Sequence, residues 1–103
     1  MTKRYVVARG AAADLKAITR YTVEEWGESQ CRLYIAKLEQ AAESLAAGDG
    51  MFRDMSFLYP GLRMVLCEKH YIFCLPRPGA LPLIVAVLHE RMDVMRRLAA
   101  RLT

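Results

Sequence analysis

The sequence predicts an α+β fold of order β-α-α-β-β-β-α, a helical hairpin packed on a small antiparallel sheet with a C-terminal helix. Three observations carry this. Apolar residues recur at spacings of three and four through residues 11–47, in two stripes broken at Gly27. Two β-prone runs, 62–67 and 70–75, flank a short Glu68-Lys69 turn. The apolar segment 83–88 then leads into an arginine-rich stretch with helical spacing.

The first strand is expected over residues 3–9, around Tyr5, Val6 and Val7, with Gly10 ending it. In the first helix, 11–26, Leu15, Ile18, Thr22 and Trp26 share one face. Asp14 falls in its expected first turn, where a carboxylate suits the positive end of the helix dipole. Gly27 breaks the helix, and Ser29 is the expected N-cap of the second. That helix, 29–47, carries the stripe Cys31, Tyr34, Ile35, Leu38, Ala41, Ala42 and Leu45, and Gly48-Asp49-Gly50 stops it. Helices joined this tightly form an antiparallel hairpin that needs another layer over its apolar face. Trp26 and Tyr34 are expected in the core, and Met51, Phe52, Met55, Phe57 and Leu58 of the loop 51–61 are expected to tuck onto it.

If Glu68-Lys69 closes a two-residue hairpin, Cys67 faces His70, Val65 faces Ile72 and Arg63 faces Cys74. This mixed face is expected to stay open to solvent or a partner. The other face, Leu62, Met64, Leu66, Tyr71, Phe73 and Leu75, is expected under the helices. Residues 76–79 read as a loop, and 83–88, apolar on both sides, as a central or doubly covered strand. A last helix, 91–102, is expected to bury Met92, Met95, Ala99 and Leu102 and to turn Arg96, Arg97 and Arg101 outward.

The 103 residues suffice for a single domain over 1–103. With 54% hydrophobic and 25% charged residues the chain is neither disordered nor fibrous. No apolar run approaches the roughly 18 residues of a spanning helix, and no signal-like segment opens the chain. A membrane-spanning or secreted protein is therefore not expected. Three irregularly spaced cysteines suit free thiols in the reducing cytoplasm. The net charge of +4 is segregated: the two ends are basic and residues 21–50 are acidic. Such runs read first as solvated faces; the sharper reading is two surfaces with different partners, the basic one for an anionic target. No basic stripe interleaved with aromatics is present, so direct sequence-specific nucleic-acid binding by this chain alone is not expected.

Cys67, His70, Cys74 and His89 suggest a zinc set, but the hairpin register separates Cys67 from Cys74 by roughly 13 Å at ~3.3 Å per residue. That spacing suits neither a disulfide nor one metal ion, and no metal is expected. His89-Glu90-Arg91-Met92-Asp93 is the densest polar cluster. A histidine there, with an ordinary pKa near ~6.5, has the chemistry of a general acid or base. The preferred reading is structural, with His89 capping or bridging a strand end. No phosphate loop, nucleophile elbow or metalloprotease motif occurs, and no cofactor is indicated.

An ordered set of residues carries a family resemblance over most of the chain: Ala13-Asp14-Leu15 with Ile18 and Tyr21, Trp26-Gly27, Tyr34 and Leu38, Gly61-Leu62-Arg63, and His70-Tyr71-Ile72-Phe73. Its most distinctive block is Leu88-His89-Glu90-Arg91-Met92-Asp93, followed by Arg96 and Leu98. With these the chain resembles the ParE-type toxins of the RelE/ParE superfamily of bacterial toxin–antitoxin pairs. The resemblance implies poisoning of DNA gyrase by binding, and neutralisation by a ParD-like antitoxin. Gyrase-binding candidates are His89, Arg91, Arg96 and Arg97. Antitoxin-binding candidates are Trp26, Tyr34 and Leu38 on the hairpin and Arg63, Val65, His70 and Ile72 on the mixed sheet face. The alternative is the RelE branch of ribosome-dependent messenger endoribonucleases. Its catalytic set here would be His89, Arg63 and Arg77, but residues 48–62 hold one arginine and no lysine, and no tyrosine follows His89.

Overall fold

A computed structural model describes residues 4–102; Lys3, where the predicted first strand begins, lies outside them. The elements are β1 (Val6–Val7), α1 (Arg9–Trp26), α2 (Glu28–Ala47), β2 (Arg53–Asp54), β3 (Arg63–Cys67), β4 (His70–Arg77), β5 (Ala80–His89) and α3 (Val94–Leu102). They build one five-stranded sheet in the order β1-β5-β4-β3-β2, antiparallel except for the β1–β5 pair. The α+β class and the element order are as predicted, with β2 as an additional short strand.

Several local boundaries are corrected. Gly10 does not end a strand but lies inside α1, which starts at Arg9. An alanine Cβ there would stand 2.8 Å from Nη1 of Arg101, so glycine is what lets that side chain cross the helix. Helix propensity alone makes Gly10→Ala stabilising by about 1 kcal/mol. We expect the opposite sign in thermal unfolding, because the guanidinium is fixed by three hydrogen bonds and cannot swing clear. Asp14, in turn, sits beyond the first turn of α1 and serves a different purpose, described below. Ser29 lies inside α2, whose N-cap is Gly27 at φ 87°. The C-terminus of α2 is as predicted: Gly48 at φ 78° donates to Leu45 O and Asp49 to Ser44 O.

The β3–β4 register is the predicted one, with Cys67 opposite His70, Val65 opposite Ile72 and Arg63 opposite Cys74. Glu68 takes φ 55°, the positive value a primed two-residue turn requires, and its carboxylate pairs with Lys37 of α2 at 3.0 Å. The assignment of the two faces is reversed. The mixed face lies under the hairpin: Ile72 and Cys74, with Val65 and Cys67, pack against Ile18, Leu38, Ala42 and Leu45. The bulky face, with Leu62 and Phe73 fully buried and Met64, Tyr71 and Leu75 at the border, packs with Met55 and Leu98. Two long helices bring their own volume and leave room only for small sheet residues. The short α3 and the 55–62 loop make a thinner layer, which Phe73 must fill.

Strand β5 runs longer than predicted, and β4 continues through Pro76 and Arg77, leaving only Pro78-Gly79 between them. Partners shift from Phe73–Ala86 to Cys74–Ile84, so Val85 is a bulge residue. It puts Val85 and Ala86 on the α3 side together, while Ile84 and Val87 face the hairpin. Hence the run 83–88 is apolar on both faces. Among the loop residues expected on the core only Met55 is buried; Met51 is 95% and Phe57 75% exposed. In α3 the anchor is Leu98, completely buried, while Met92, Met95 and Ala99 are exposed and Leu102 half-buried. Three cysteines are free, as expected.

Candidate functional site

The polar block after β5 becomes a turn. His89 O accepts the Met92 N–H at 3.0 Å, and His89 Nδ1 accepts the Arg91 N–H at 3.0 Å. Asp93 then caps α3, its Oδ1 taking the Arg96 N–H at 3.4 Å. Arg91 in this turn and Arg96 and Arg97 on α3 are all exposed, which makes this end of the chain basic.

What holds this end in place was not visible in the sequence. Arg101, expected to point outward, turns in toward Asp14 of α1 and makes a forked pair, Nη2 to Oδ1 at 2.6 Å and Nη1 to Oδ2 at 2.9 Å. The same carboxylate accepts the Val87 N–H at 3.0 Å, and Nη1 also donates to Val85 O at 3.3 Å. Strand β1 pairs with β5 only at Leu83 and Ile84. Beyond that point the ion pair takes the place of a neighbouring strand, giving an acceptor to one backbone group of β5 and a donor to another. No periodicity links residues 87 positions apart, so pattern reading had no signal for this contact.

The second polar cluster joins α2 to the sheet. The Tyr34 hydroxyl lies 2.6 Å from His70 Nδ1 and accepts the Lys69 N–H at 3.3 Å. With that acceptor role filled, the hydroxyl proton is free for an unprotonated Nδ1. The His70 ring meets His89 edge to face at 5.1 Å between centroids. Burial, with the neighbouring His89 second, lowers the His70 pKa to about 4. Burial also raises that of Tyr34. At neutral pH the pair is therefore an uncharged hydrogen bond tying helix to hairpin turn.

The two functional sets fare differently. His89 is opposite His70, Arg63 is opposite Cys74, and Arg77 lies seven residues along β4 from His70, roughly 23 Å away at ~3.3 Å per residue. Arg63 donates to Leu45 O and Ala46 O and lies over the Phe52 ring, capping α2. Arg77 is turned onto Leu81 O at 2.7 and 2.9 Å. The three residues of a nuclease reading are thus spread along the sheet rather than gathered. Of the predicted antitoxin contacts, Trp26 is 69% exposed, against the core expectation. Leu38, His70 and Ile72 are buried, and Tyr34, Arg63 and Val65 half-buried, because their sheet face lies beneath the hairpin. Among the described residues no group of three His, Cys, Asp or Glu side chains could hold a metal ion, and no helix is long and apolar enough to cross a membrane.

The fold is similar to that of a solved chain described as the chromosomal ParDE TA system from P. aeruginosa. The TM-score is 0.65 at 21% identity, covering 85% of this chain and 98% of that one. Residues 5–94 match the family described as ParE toxin of type II toxin-antitoxin system, parDE. Over 98 residues the chain is 61% identical to Toxin ParE of Escherichia coli, covering 95% of both. It is 33% identical to Toxin ParE1 of Mycobacterium tuberculosis over 95% of this chain and 100% of that one. For Toxin ParE1 of Caulobacter vibrioides the identity is 32%, over 93% and 98%. The chain belongs to the ParE toxin family of type II toxin–antitoxin systems.

Proposed function

We propose that this toxin acts in the cytoplasm by binding DNA gyrase, through His89, Arg91, Arg96 and Arg97, and that a ParD-like antitoxin neutralises it. The observation that carries the reading is the seat of α3. Its arginines project from a helix locked by Leu98 and by the Arg101–Asp14 fork, so they form a fixed cationic surface suited to a large anionic or acidic target. The wide separation of His89, Arg63 and Arg77 weighs against a nuclease centre. For the antitoxin, Trp26 offers an exposed aromatic anchor at the hairpin tip, whereas Leu38, His70 and Ile72 are buried and Tyr34, Arg63 and Val65 half-buried.

The test pairs a gyrase supercoiling assay with a ribosome-bound messenger cleavage assay. The parent protein is expected to inhibit supercoiling and leave messenger intact. Arg96→Ala combined with Arg97→Ala is expected to keep stability within about 0.5 kcal/mol, since both side chains are exposed. It should weaken inhibition by about tenfold or more. Inhibition equal to the parent would move the contact to His89 and Arg91, and messenger cleavage lost in His89→Ala would replace the gyrase reading altogether.

A further inference from the structure

Helix α1 turns Ala11, Ile18 and Thr22 to the core. At ~100° per residue, positions seven and eleven apart return to within about 20° of one direction, so Arg9, Lys16 and Arg20 share the side away from those three. All three are exposed, and at ~1.5 Å per residue they span about 16 Å. The acids of the hairpin leave them unneutralised. Asp14, the one carboxylate between residues 9 and 23, is turned away and held by Arg101 at 2.6 and 2.9 Å and by the Val87 N–H. Among the described residues Arg9, Lys16 and Arg20 form no ion pair. Both cations of α2 have one, Arg32 with Glu28 at 3.6 Å and Lys37 with Glu68 at 3.0 Å. Between Arg9 and Arg20 the same side carries the exposed Ala12 and Ala13 and no large apolar or aromatic side chain; Val23 and Glu24 come only beyond Arg20.

We propose that this stripe lies along the phosphate backbone of duplex DNA held by gyrase, a second contact beside that of the α3 arginines; the proposal rests on the gyrase reading above. The composition of the stripe selects the occupant. A protein partner needs apolar or aromatic anchors at a desolvated centre, and the stripe has none between its cations. Phosphates need only cations within reach, and the short alanines let the helix come close. Duplex DNA carries one negative charge per ~1.7 Å of its axis, so a stripe of about 16 Å meets several. Such a contact positions the chain without reading sequence. Three phosphate contacts alone bind weakly. They count once the α3 surface has brought the chain to the enzyme, when the second contact becomes intramolecular. The Asp14–Arg101 fork ties α1 to α3, so the two basic surfaces move as one body.

The test titrates the toxin onto gyrase alone and onto gyrase loaded with a duplex of arbitrary sequence, from about 50 to about 200 mM salt. The parent is expected to bind the loaded enzyme about tenfold or more tighter at the lower salt. Its log–log salt slope there should be steeper by about 2 to 3, close to ~0.9 for each phosphate. The combined variant Arg9→Gln, Lys16→Gln and Arg20→Gln is expected to keep the parent's circular dichroism and its binding to gyrase alone and to the antitoxin, and to lose the gain on DNA. A parent that gains nothing from the duplex, or a variant that keeps the gain, overturns the proposal and leaves the gyrase reading standing. So does a loss confined to operator DNA held by the toxin–antitoxin complex, or weaker binding of the antitoxin itself, either of which assigns the stripe to that partner. Failure of the parent to bind gyrase in either form overturns both readings. Should the triple variant not fold, Lys16→Glu alone decides by the same comparison.

Discussion

Asp14→Ala is expected to lower the stability of this protein by about 3 kcal/mol, read as a shift in the urea midpoint at constant slope. The substitution does more than break one ion pair. It leaves the largely enclosed Arg101 guanidinium without its anion and the Val87 N–H without its acceptor. Removing one partner of an enclosed pair costs more than the pair contributes, since the remaining charge has already been taken from water. Asp14→Asn keeps an acceptor for Val87 and is expected to cost less than the alanine. Arg101→Lys keeps the charge but loses the fork and the reach to Val85 O, and belongs between the two. A loss below about 1 kcal/mol for Asp14→Ala would show that the packing of Leu98 alone seats α3.

A second large effect is expected in acid. His70 is neutral in the folded protein down to about pH 4, whereas in the unfolded chain it takes a proton near 6.5. Between these values the unfolded state binds more protons than the folded one. The stabilisation is therefore complete above pH 6.5 and is lost as pH falls toward 4. Over that window the loss attributable to this one side chain is about 3 kcal/mol. Urea titrations at pH 7 and pH 4.5 should show it in the parent, and His70→Gln should remove most of the difference. An equal loss in the glutamine variant would assign the acid sensitivity to the carboxylates instead.

The hairpin, the β3–β4 register and the basic helix were legible in the sequence because each depends on local spacing. Glycines at 27 and 48 punctuate two periodic stripes, and a two-residue turn leaves only one register for its flanks. The face of the ribbon that meets the helices was not legible, for a chemical reason. A mixed face reads as solvent-facing when its polar groups are taken one at a time. Here each finds a counterpart on α2: Arg63 the last carbonyls of the helix, His70 the Tyr34 hydroxyl, and Cys67 the Lys37 carbonyl at 3.5 Å. Matching of this kind exists only between elements already placed in space. The same holds for α3, whose stripe was read through Met92, Met95, Ala99 and Leu102 when, of these, only Leu102 shares the true seat with Leu98, Val94 and Arg101. An arginine that satisfies a carboxylate and a backbone carbonyl counts as an inward residue, whatever its hydropathy.

The arrangement of the sheet also sets the order in which the molecule can assemble. Strand β5 lies between β1 and β4, yet it is the last strand to be synthesised. Val6 and Val7 must wait for Leu83 and Ile84, and Asp14 for Arg101. During translation the two helices of the hairpin are made early, but their sheet face has no centre to close on until nearly the whole chain has been made. Closure over such sequence distances is slow relative to helix formation. Until residues 80–102 have been made, neither β5 nor the basic helix can take its place, and to that point the nascent chain is a ParE sequence without a ParE surface.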